Sequence, residues 1–151
     1  MEYSVEITLP ADNEGYVPFE CPHCSDRFKL SAAEYEGFEG DDIWCPLCGL
    51  NSAKSDFLTQ EFLEAARQHV ENFAREALHK MSKNIERKTR HNKGVRFEAG
   101  PAPKRRAVPG LPQEVADMAI VNLKCCDMSV KTAVPGGLAV LYCPYCGTEG
   151  V

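Results

Sequence analysis

The sequence of 151 residues predicts a small α+β protein in which two cysteine-bearing β-hairpin units are joined by a long amphipathic helix and a basic linker rich in Pro and Gly. Three observations support this fold class. All 8 cysteines fall in two clusters, one toward each end of the chain. Short runs of alternating apolar and polar residues flank both clusters, and a continuous helical apolar stripe lies between them. The predicted divisions are 1–55, 56–93, 94–114 and 115–151.

The strands of the first unit follow from period-two alternation and turn residues. Alternation over Tyr3–Leu9 predicts a strand, and Asp12–Gly15 is typical of a hairpin turn. The run Tyr16–Glu20 is expected to form the return strand, and alternation resumes at Phe28–Leu30. The segment from Ser31 to Asp42 is expected to be a loop or an irregular hairpin end, followed by a short strand at Ile43 and Trp44.

The first cluster has the spacing of a zinc site. Two thiolates separated by two residues can face one metal, and two such pairs supply the tetrahedral shell that Zn²⁺ prefers. Glycine after the second pair can adopt the positive φ that the turn requires. His23 is expected to be a surface residue, since the four thiols already fill the site. The predicted ligands are Cys21, Cys24, Cys45 and Cys48.

Disulfides are the alternative interpretation of this cysteine content. The N-terminal residues contain no basic segment followed by an apolar one, so export is not expected. No apolar run approaches the roughly 20 residues that cross a bilayer, so no membrane partner is expected. These features favour a cytoplasmic protein, in which thiols stay reduced and available to metal.

A long amphipathic helix is predicted after the first cluster. Asp56 or Thr59 can cap it, and it is expected to end between Lys83 and Asn92. Apolar residues recur at three- and four-residue spacing over about six turns, or roughly 35 Å. This stripe is predicted either to pack on both hairpin units or to pair with a second copy of the chain.

The end of the helix and the linker form a basic segment. From Gly94 to Pro112 the composition changes to Gly, Pro, Ala and basic residues, which predicts an extended linker. The nine basic residues of this segment, against two acidic ones, leave −12 on the rest of a chain whose formal net charge is −5. Such segregation indicates an anionic partner, with DNA or RNA phosphates as the candidate, or a solubilising linker. The candidate nucleic-acid-binding residues are Lys83, Arg87, Lys88, Arg90, Lys93, Arg96, Lys104, Arg105 and Arg106.

The second unit repeats the first with one defect. Apolar spacing over Val115–Lys124, alternation over Met128–Thr132, a turn at Pro135–Gly137 and a return at Leu138–Tyr142 predict its strands. In the repeat, the counterpart of Cys21 is Leu123. Three ligands are therefore expected at the second zinc site, namely Cys126, Cys143 and Cys146.

The fourth ligand of the second site is left open by the sequence. Cys125, Asp127 or a water molecule could complete it, because adjacent cysteines share a metal only through a distorted turn. A metal-free remnant held by its own small core is the alternative to a second zinc site. An open fourth position would suit catalytic zinc, although no base or substrate pocket can be identified nearby.

These motifs resemble the zinc-ribbon group, and the chain would then contain two zinc-ribbon β-hairpin units. More narrowly, they are similar to a set of uncharacterised bacterial proteins with a C-terminal Cys-Cys-Asp and a Tyr-Cys-Pro-Tyr-Cys-Gly motif. The resemblance implies that the adjacent pair Cys125–Cys126 is a family feature. It implies no activity. It extends metal ligation to Cys21, Cys24, Cys45, Cys48, Cys126, Cys143 and Cys146.

The sequence favours a non-enzymatic zinc-binding adaptor that contacts nucleic-acid phosphates through the basic segment. The Cys-Pro-Tyr-Cys motif also occurs in glutaredoxin-like redox sites, but these need a helix to begin at the motif, and too few residues follow here. A protein–protein scaffold or homodimer built on the helix stripe is the second hypothesis. An enzyme that uses the irregular second zinc site is the third.

Overall fold

A computed structural model describes residues 8–112, 117–133 and 140–149 of the chain. The described residues divide into two compact units. We call the first the sheet unit, which includes Thr8–Phe62 and the described part of Leu111–Val151, and the second the helix unit, which includes Leu63–Gly110. Within these residues, no helix combines the length and the apolar character needed to cross a membrane.

The sheet unit is built on four antiparallel strands in the order β1-β2-β6-β5. Strands β1 (Tyr16–Glu20) and β2 (Arg27–Ser31) form the hairpin of the first repeat, and β5 (Ala119–Leu123) and β6 (Met128–Thr132) form that of the second. The strands predicted at Tyr16–Glu20, around Phe28 and over Met128–Thr132 are confirmed. Most of the strand predicted from Tyr3 and the turn predicted at Pro135–Gly137 lie outside the described residues.

The two repeats share one sheet instead of forming two separate hairpin units. Strand β2 pairs with β6 in a register that is symmetric about the repeat, with Phe28 opposite Thr132, Lys29 opposite Lys131, and Leu30 opposite Val130. When the repeats are exchanged, the Lys29–Lys131 pair therefore maps onto itself and the other two pairs map onto each other, as in a two-fold dimer. A lone two-stranded hairpin is at best marginally stable, whereas four strands can cover a common core.

Four short elements lie between β2 and the long helix. The segment after β2, expected to be a loop, contains a short helix. The sequence did not predict strand β4 (Asn51–Ala53), in which Asn and Ser have weak strand preferences and which pairs with β3 (Asp42–Trp44), or the 3₁₀ turn that follows it. The elements are α1 (Ala32–Gly37), β3 (Asp42–Trp44), β4 (Asn51–Ala53) and the 3₁₀ turn (Lys54–Phe57).

The core draws on both repeats. Phe19, Phe28 and Leu30 from the first, and Val130 and Leu141 from the second, are fully or almost fully buried in one cluster. The rings of Phe19 and Phe28 stack with their centroids 6.1 Å apart. Because neither repeat supplies this cluster alone, folding of one hairpin depends on the presence of the other.

Two buried lysines lie where the repeats meet. Lys131 is fully buried and Lys29 is 2% exposed, although strand alternation alone would place them on a polar face. The Nζ atom of Lys131 lies 2.6 Å from Asp12 Oδ2 and also contacts Glu14, and Lys29 lies 3.9 Å from the same Asp12 oxygen. Burial raises the pKa of Asp12, but the hydrogen bonds from Lys131 and from two backbone N–H groups outweigh it and leave the pKa below its ordinary value.

The long helix α2 spans Gln60–Thr89 and has 30 residues. The Phe62 N–H donates to Thr59 Oγ1 at 3.4 Å, so Thr59 is the capping residue, as one of the two predicted options. The predicted range for the end of the helix is confirmed. Five large side chains of its apolar stripe are exposed, and those of Phe62 and Phe73 are partly buried.

The linker is extended, as predicted, but in the helix unit it is anchored to α2. Between 95 and 112 it forms no helix or strand. The side-chain amide of Asn72 donates to the Arg106 carbonyl at 2.8 Å and accepts from the Arg106 N–H at 2.9 Å. Arg105 pairs with Glu76, and the Phe97 N–H donates to Thr89 Oγ1 at 3.3 Å. The linker therefore folds back along the helix at several points.

Candidate metal centres

The first cysteine cluster has the geometry of a tetrahedral zinc site. The sulfur atoms of Cys21 and Cys48 lie 3.7 Å apart, as do those of Cys24 and Cys45, and all four lie within 4.8 Å of one another. Zinc–sulfur bonds of about 2.3 Å in a tetrahedron place neighbouring sulfurs about 3.8 Å apart, whereas a disulfide bond is about 2.05 Å long. The spacing therefore fits a shared Zn²⁺, which when bound would hold the four thiolates together.

The local backbone explains how the thiols of the first cluster converge. The N–H groups of His23 and Leu47 point at Cys21 Sγ and Cys45 Sγ at 3.3 and 3.4 Å. Burial raises the pKa of Cys45 well above its ordinary value and that of Cys24 to about 11. Zinc binding to these thiols must therefore displace protons, which makes the affinity depend on pH.

The second cluster brings four thiols together, including Cys125. The sulfurs of Cys125, Cys126, Cys143 and Cys146 lie within 4.8 Å of one another, and those of Cys125 and Cys146 are 3.6 Å apart. The carboxylate of Asp127, one of the three options for the fourth ligand, is not part of this group. The donor set is therefore the same as in the first cluster, and it suits a closed tetrahedral metal site.

The turn of each hairpin explains why the fourth thiol occupies a new position. In both hairpins, the residue that begins the turn is paired with the residue that ends it. That residue is Cys21 in the first and Leu123 in the second. Leu123 is buried in the core, and Cys125 takes the turn position that His23 has in the first hairpin. His23 stays outside the first thiol group, with Nε2 3.2 Å from the carbonyl oxygen of Asn51.

The two clusters differ in exposure. In the first, Cys21 and Cys45 are buried and the other two are partly buried, whereas in the second only Cys143 is buried, and Cys125 and Cys146 are exposed. The hydroxyl of Thr148 lies 3.0 Å from Cys146 Sγ and lowers the pKa of Cys146 to about 6. Thr148 was not identified from the sequence, since its role depends on where the chain runs after the last cysteine.

Reciprocal hydrogen bonds join the second cysteine turn of the first repeat, at Cys45–Cys48, to the second cysteine turn of the other repeat, at Cys143–Cys146. The Trp44 N–H donates to the Pro144 carbonyl at 2.9 Å, and the Tyr142 N–H donates to the Pro46 carbonyl at 2.9 Å. Trp44 and Tyr142 are equivalent in the repeat, and so are the two prolines. The same symmetry that relates β2 to β6 therefore extends to the metal-binding turns.

Two glycines complete this junction. Gly49 and Gly147 have φ values of +73° and +74°, which L-residues with side chains rarely adopt. A Cβ atom on Gly49 would lie 3.0 Å from the ring of Tyr142, and one on Gly147 would lie 2.6 Å from the ring of Trp44. Glycine is therefore favoured at each position for two reasons, namely the positive φ and the close approach of an aromatic ring from the other repeat.

The basic residues at the end of α2 are arranged around a concave surface. Lys83, Arg87 and Arg90 line a depression of about 430 Å³ together with Asn84 and Glu86. Lys83 forms an ion pair with Glu86 at 2.9 Å. The depression is therefore lined by three cationic side chains and one carboxylate.

The remaining basic residues divide into paired and unpaired side chains. Arg105 pairs with Glu76, Arg106 with Glu71 at 3.5 Å, and Arg96 with Glu98 at 3.4 Å. Over the described part of the chain, no ion pair involves Lys88, Lys93 or Lys104. Arg105 and Arg106 therefore hold the linker on the helix, which the sequence did not predict.

Comparison of the chain with protein-family models, curated proteins and solved structures gives no match. The likeness to zinc ribbons rests on the two four-thiol groups, and no narrower family is supported. Any conclusion about function has to come from the thiol groups and from the surfaces of the two units.

Proposed function

We propose that the protein is a non-enzymatic zinc-binding adaptor whose two structural zinc centres stabilise the sheet unit and whose basic residues at the end of α2 bind nucleic-acid phosphates. The observation that carries the zinc assignment is the pair of four-thiol groups, each within 4.8 Å. Thiolates in this number and spacing are the typical donor set of closed structural zinc sites.

The second thiol group supports a structural role over a catalytic one. Catalytic zinc keeps a position for water or substrate beside three protein ligands. Here Cys125 supplies a fourth thiol, so the site has no need of a water ligand. The enzyme hypothesis relied on an open position at this site, and the geometry gives it no support.

The depression at the end of α2 supports the choice of phosphate as the ligand. Three cationic side chains converge there, and Lys88 and Lys93 lie close by in the sequence without ion pairs among the described residues. Contacts of this kind bind the backbone and carry no base sequence information. We therefore expect binding to DNA and RNA with little sequence preference and a strong dependence on salt.

The test replaces Arg87 and Arg90 with Ala in the zinc-loaded full chain and measures binding to duplex DNA over a series of salt concentrations. Each lost phosphate contact should reduce the slope of log affinity against log salt by about 0.9. The matched variant is Arg105→Ala with Arg106→Ala, which removes the same formal charge from side chains already paired with Glu76 and Glu71. We expect a smaller change in slope from it.

Equal effects from the two double variants would mean that only net charge matters and that the depression is not a binding site. No binding to DNA or RNA at low salt would refute the nucleic-acid part of the proposal. Zinc content measured on every variant separates these outcomes from loss of the metal centres.

A further inference from the structure

The apolar stripe of α2 remains uncovered in the helix unit. Five of its large apolar side chains are between 41% and 62% exposed, and at 100° per residue these five fall in a sector of about 80°. They are Leu63, Val70, Leu78, Met81 and Ile85. A continuous row of this kind on one helix face is typical of an interface.

The linker covers the other side of the helix along its middle, and its contact with Thr89, one turn beyond Ile85, lies about 20° from the edge of this sector. Its anchoring contacts at Asn72 and Glu76 lie about 120° or more away from the sector of large apolar side chains. In the described part of the chain, the linker therefore covers one face of α2, and the stripe stays exposed.

The stripe is symmetric about Ala74. Val70 and Leu78 lie four residues before and after it, and Leu63 and Ile85 lie eleven residues before and after it. Two antiparallel copies crossing at Ala74 would therefore place Leu63 opposite Ile85 and Val70 opposite Leu78, each pair twice. The small exposed side chain of Ala74 would lie at the crossing point, where the two backbones come closest.

The charges of α2 favour the same arrangement. The first half of the helix, 60–74, has three acidic residues and one basic residue, whereas the second half, 75–89, has five basic and two acidic ones. Antiparallel copies place the acidic half of one helix beside the basic half of the other, and parallel copies would place like charges together. Arg67 would lie opposite Met81, where its aliphatic stem can pack while its guanidinium stays paired with Glu71 at 3.1 Å.

We infer that this face binds a second copy of the chain, with the two α2 helices antiparallel and their two-fold axis at Ala74. Apolar contacts along the stripe provide the attraction, and the opposite charge of the two helix halves sets the direction. The inference does not depend on nucleic-acid binding. It places the two basic depressions near opposite ends of the helix pair.

The first experiment measures the mass of the zinc-loaded full chain by sedimentation equilibrium over a concentration series. We expect a monomer–dimer equilibrium that Leu78→Glu weakens at least about 100-fold, because each dimer would then bury two carboxylates in an apolar contact. The matched control is His79→Glu, which adds the same side chain one position along, away from the stripe, and should leave the equilibrium unchanged. The helix content measured by circular dichroism reports whether each variant has kept α2, and zinc content reports whether it has kept the sheet unit.

The second experiment determines the direction of the helices. A photo-crosslinking phenylalanine analogue at Leu63 should attach to the region of Ile85 in the second copy, as mapped by mass spectrometry of the crosslinked peptides. The same analogue at Lys80, which lies off the stripe, should give no crosslink between copies. A monomer at all concentrations, a dimer insensitive to Leu78→Glu, or a crosslink from Leu63 to Leu63 would each overturn the inference.

Discussion

The two cysteine clusters have the same donor set but reach it from different positions of the same turn. In the first, the buried Cys21 starts the turn, whereas in the second, Leu123 occupies that place and the exposed Cys125 supplies the thiol instead. The substitution moves one ligand from the core to the surface. A four-thiol site can therefore be kept while its protection from solvent changes.

This difference in position has consequences for the metal. A ligand whose sulfur is buried can be reached by a competing chelator only when the surrounding structure opens, while exposed ligands can be replaced one at a time. We expect zinc to leave the second site faster than the first. Because both repeats share one sheet and one core, loss of either metal should still weaken the other repeat.

The largest effect is expected from removing the fourth thiol ligand of the second site. Cys125→Ser should weaken zinc binding there by about 100- to 1000-fold, since a four-ligand site binds with about 10–16 kcal/mol and one ligand accounts for about a quarter of this. The equivalent substitution in the first repeat, His23→Ser, should leave both sites loaded. The measurement is competition with a chromophoric chelator.

Two results would contradict this comparison. If Cys125→Ser retained zinc at the second site with unchanged affinity, Asp127 or water would complete the shell and the thiol spacing would have no bearing on binding. If His23→Ser released zinc from the first site, the histidine would contribute to a site that the geometry assigns to four thiols.

The local features of this fold could be predicted from the sequence. Alternation identified β1, β2 and β6, helical periodicity identified α2, and Thr59 is one of the two caps that the sequence offered. Cysteine spacing identified the four thiols of the first group and three of the second, Cys126, Cys143 and Cys146. These features depend on residues close together in the chain, where period and turn chemistry are sufficient.

Features that join distant parts of the chain could not be predicted. The pairing of β2 with β6 brings Lys29 opposite Lys131, and nothing in either strand alone specifies that edge. Lys131 is paired with Asp12, which comes from the predicted hairpin turn, and Lys29 lies 3.9 Å from Asp12 and 3.5 Å from Asp117. Similarly, the position of Cys125 was undecided until the turn between β5 and β6 was known.

A second prediction compares the two lysines that the repeat makes equivalent. Lys131→Met should lower the free energy of unfolding by about 3 kcal/mol, because it leaves the buried Asp12 with only Lys29, 3.9 Å away, and backbone donors. Lys29→Met should cost about 1–2 kcal/mol, since Asp12 keeps its 2.6 Å contact with Lys131. Denaturant unfolding of the zinc-loaded proteins measures both, and equal losses would contradict the asymmetry.

The pH dependence of stability gives an independent check on Lys131. Burial lowers the pKa of Lys131, but hydrogen bonds to Asp12 and Glu14 outweigh it and raise the pKa above its ordinary value of 10.5. A raised folded pKa means that the contribution is fully present below pH 10.5 and is lost as the pH rises through the folded value. The alkaline loss of stability should therefore be weaker in Lys131→Met than in the parent protein.

The smallest expected effects concern the two junction glycines. Gly147→Ala and Gly49→Ala each force a side chain into positive φ, which costs about 1–2 kcal/mol. Gly147→Ala should be the more destabilising of the two, because its Cβ would lie 2.6 Å from the Trp44 ring, against 3.0 Å from the Tyr142 ring for Gly49. Thermal unfolding compares the two variants, and the fluorescence of Trp44 should change only in Gly147→Ala. Equal losses would mean that backbone strain alone accounts for the cost, since the two φ values are nearly the same, and a larger loss in Gly49→Ala would contradict the packing argument.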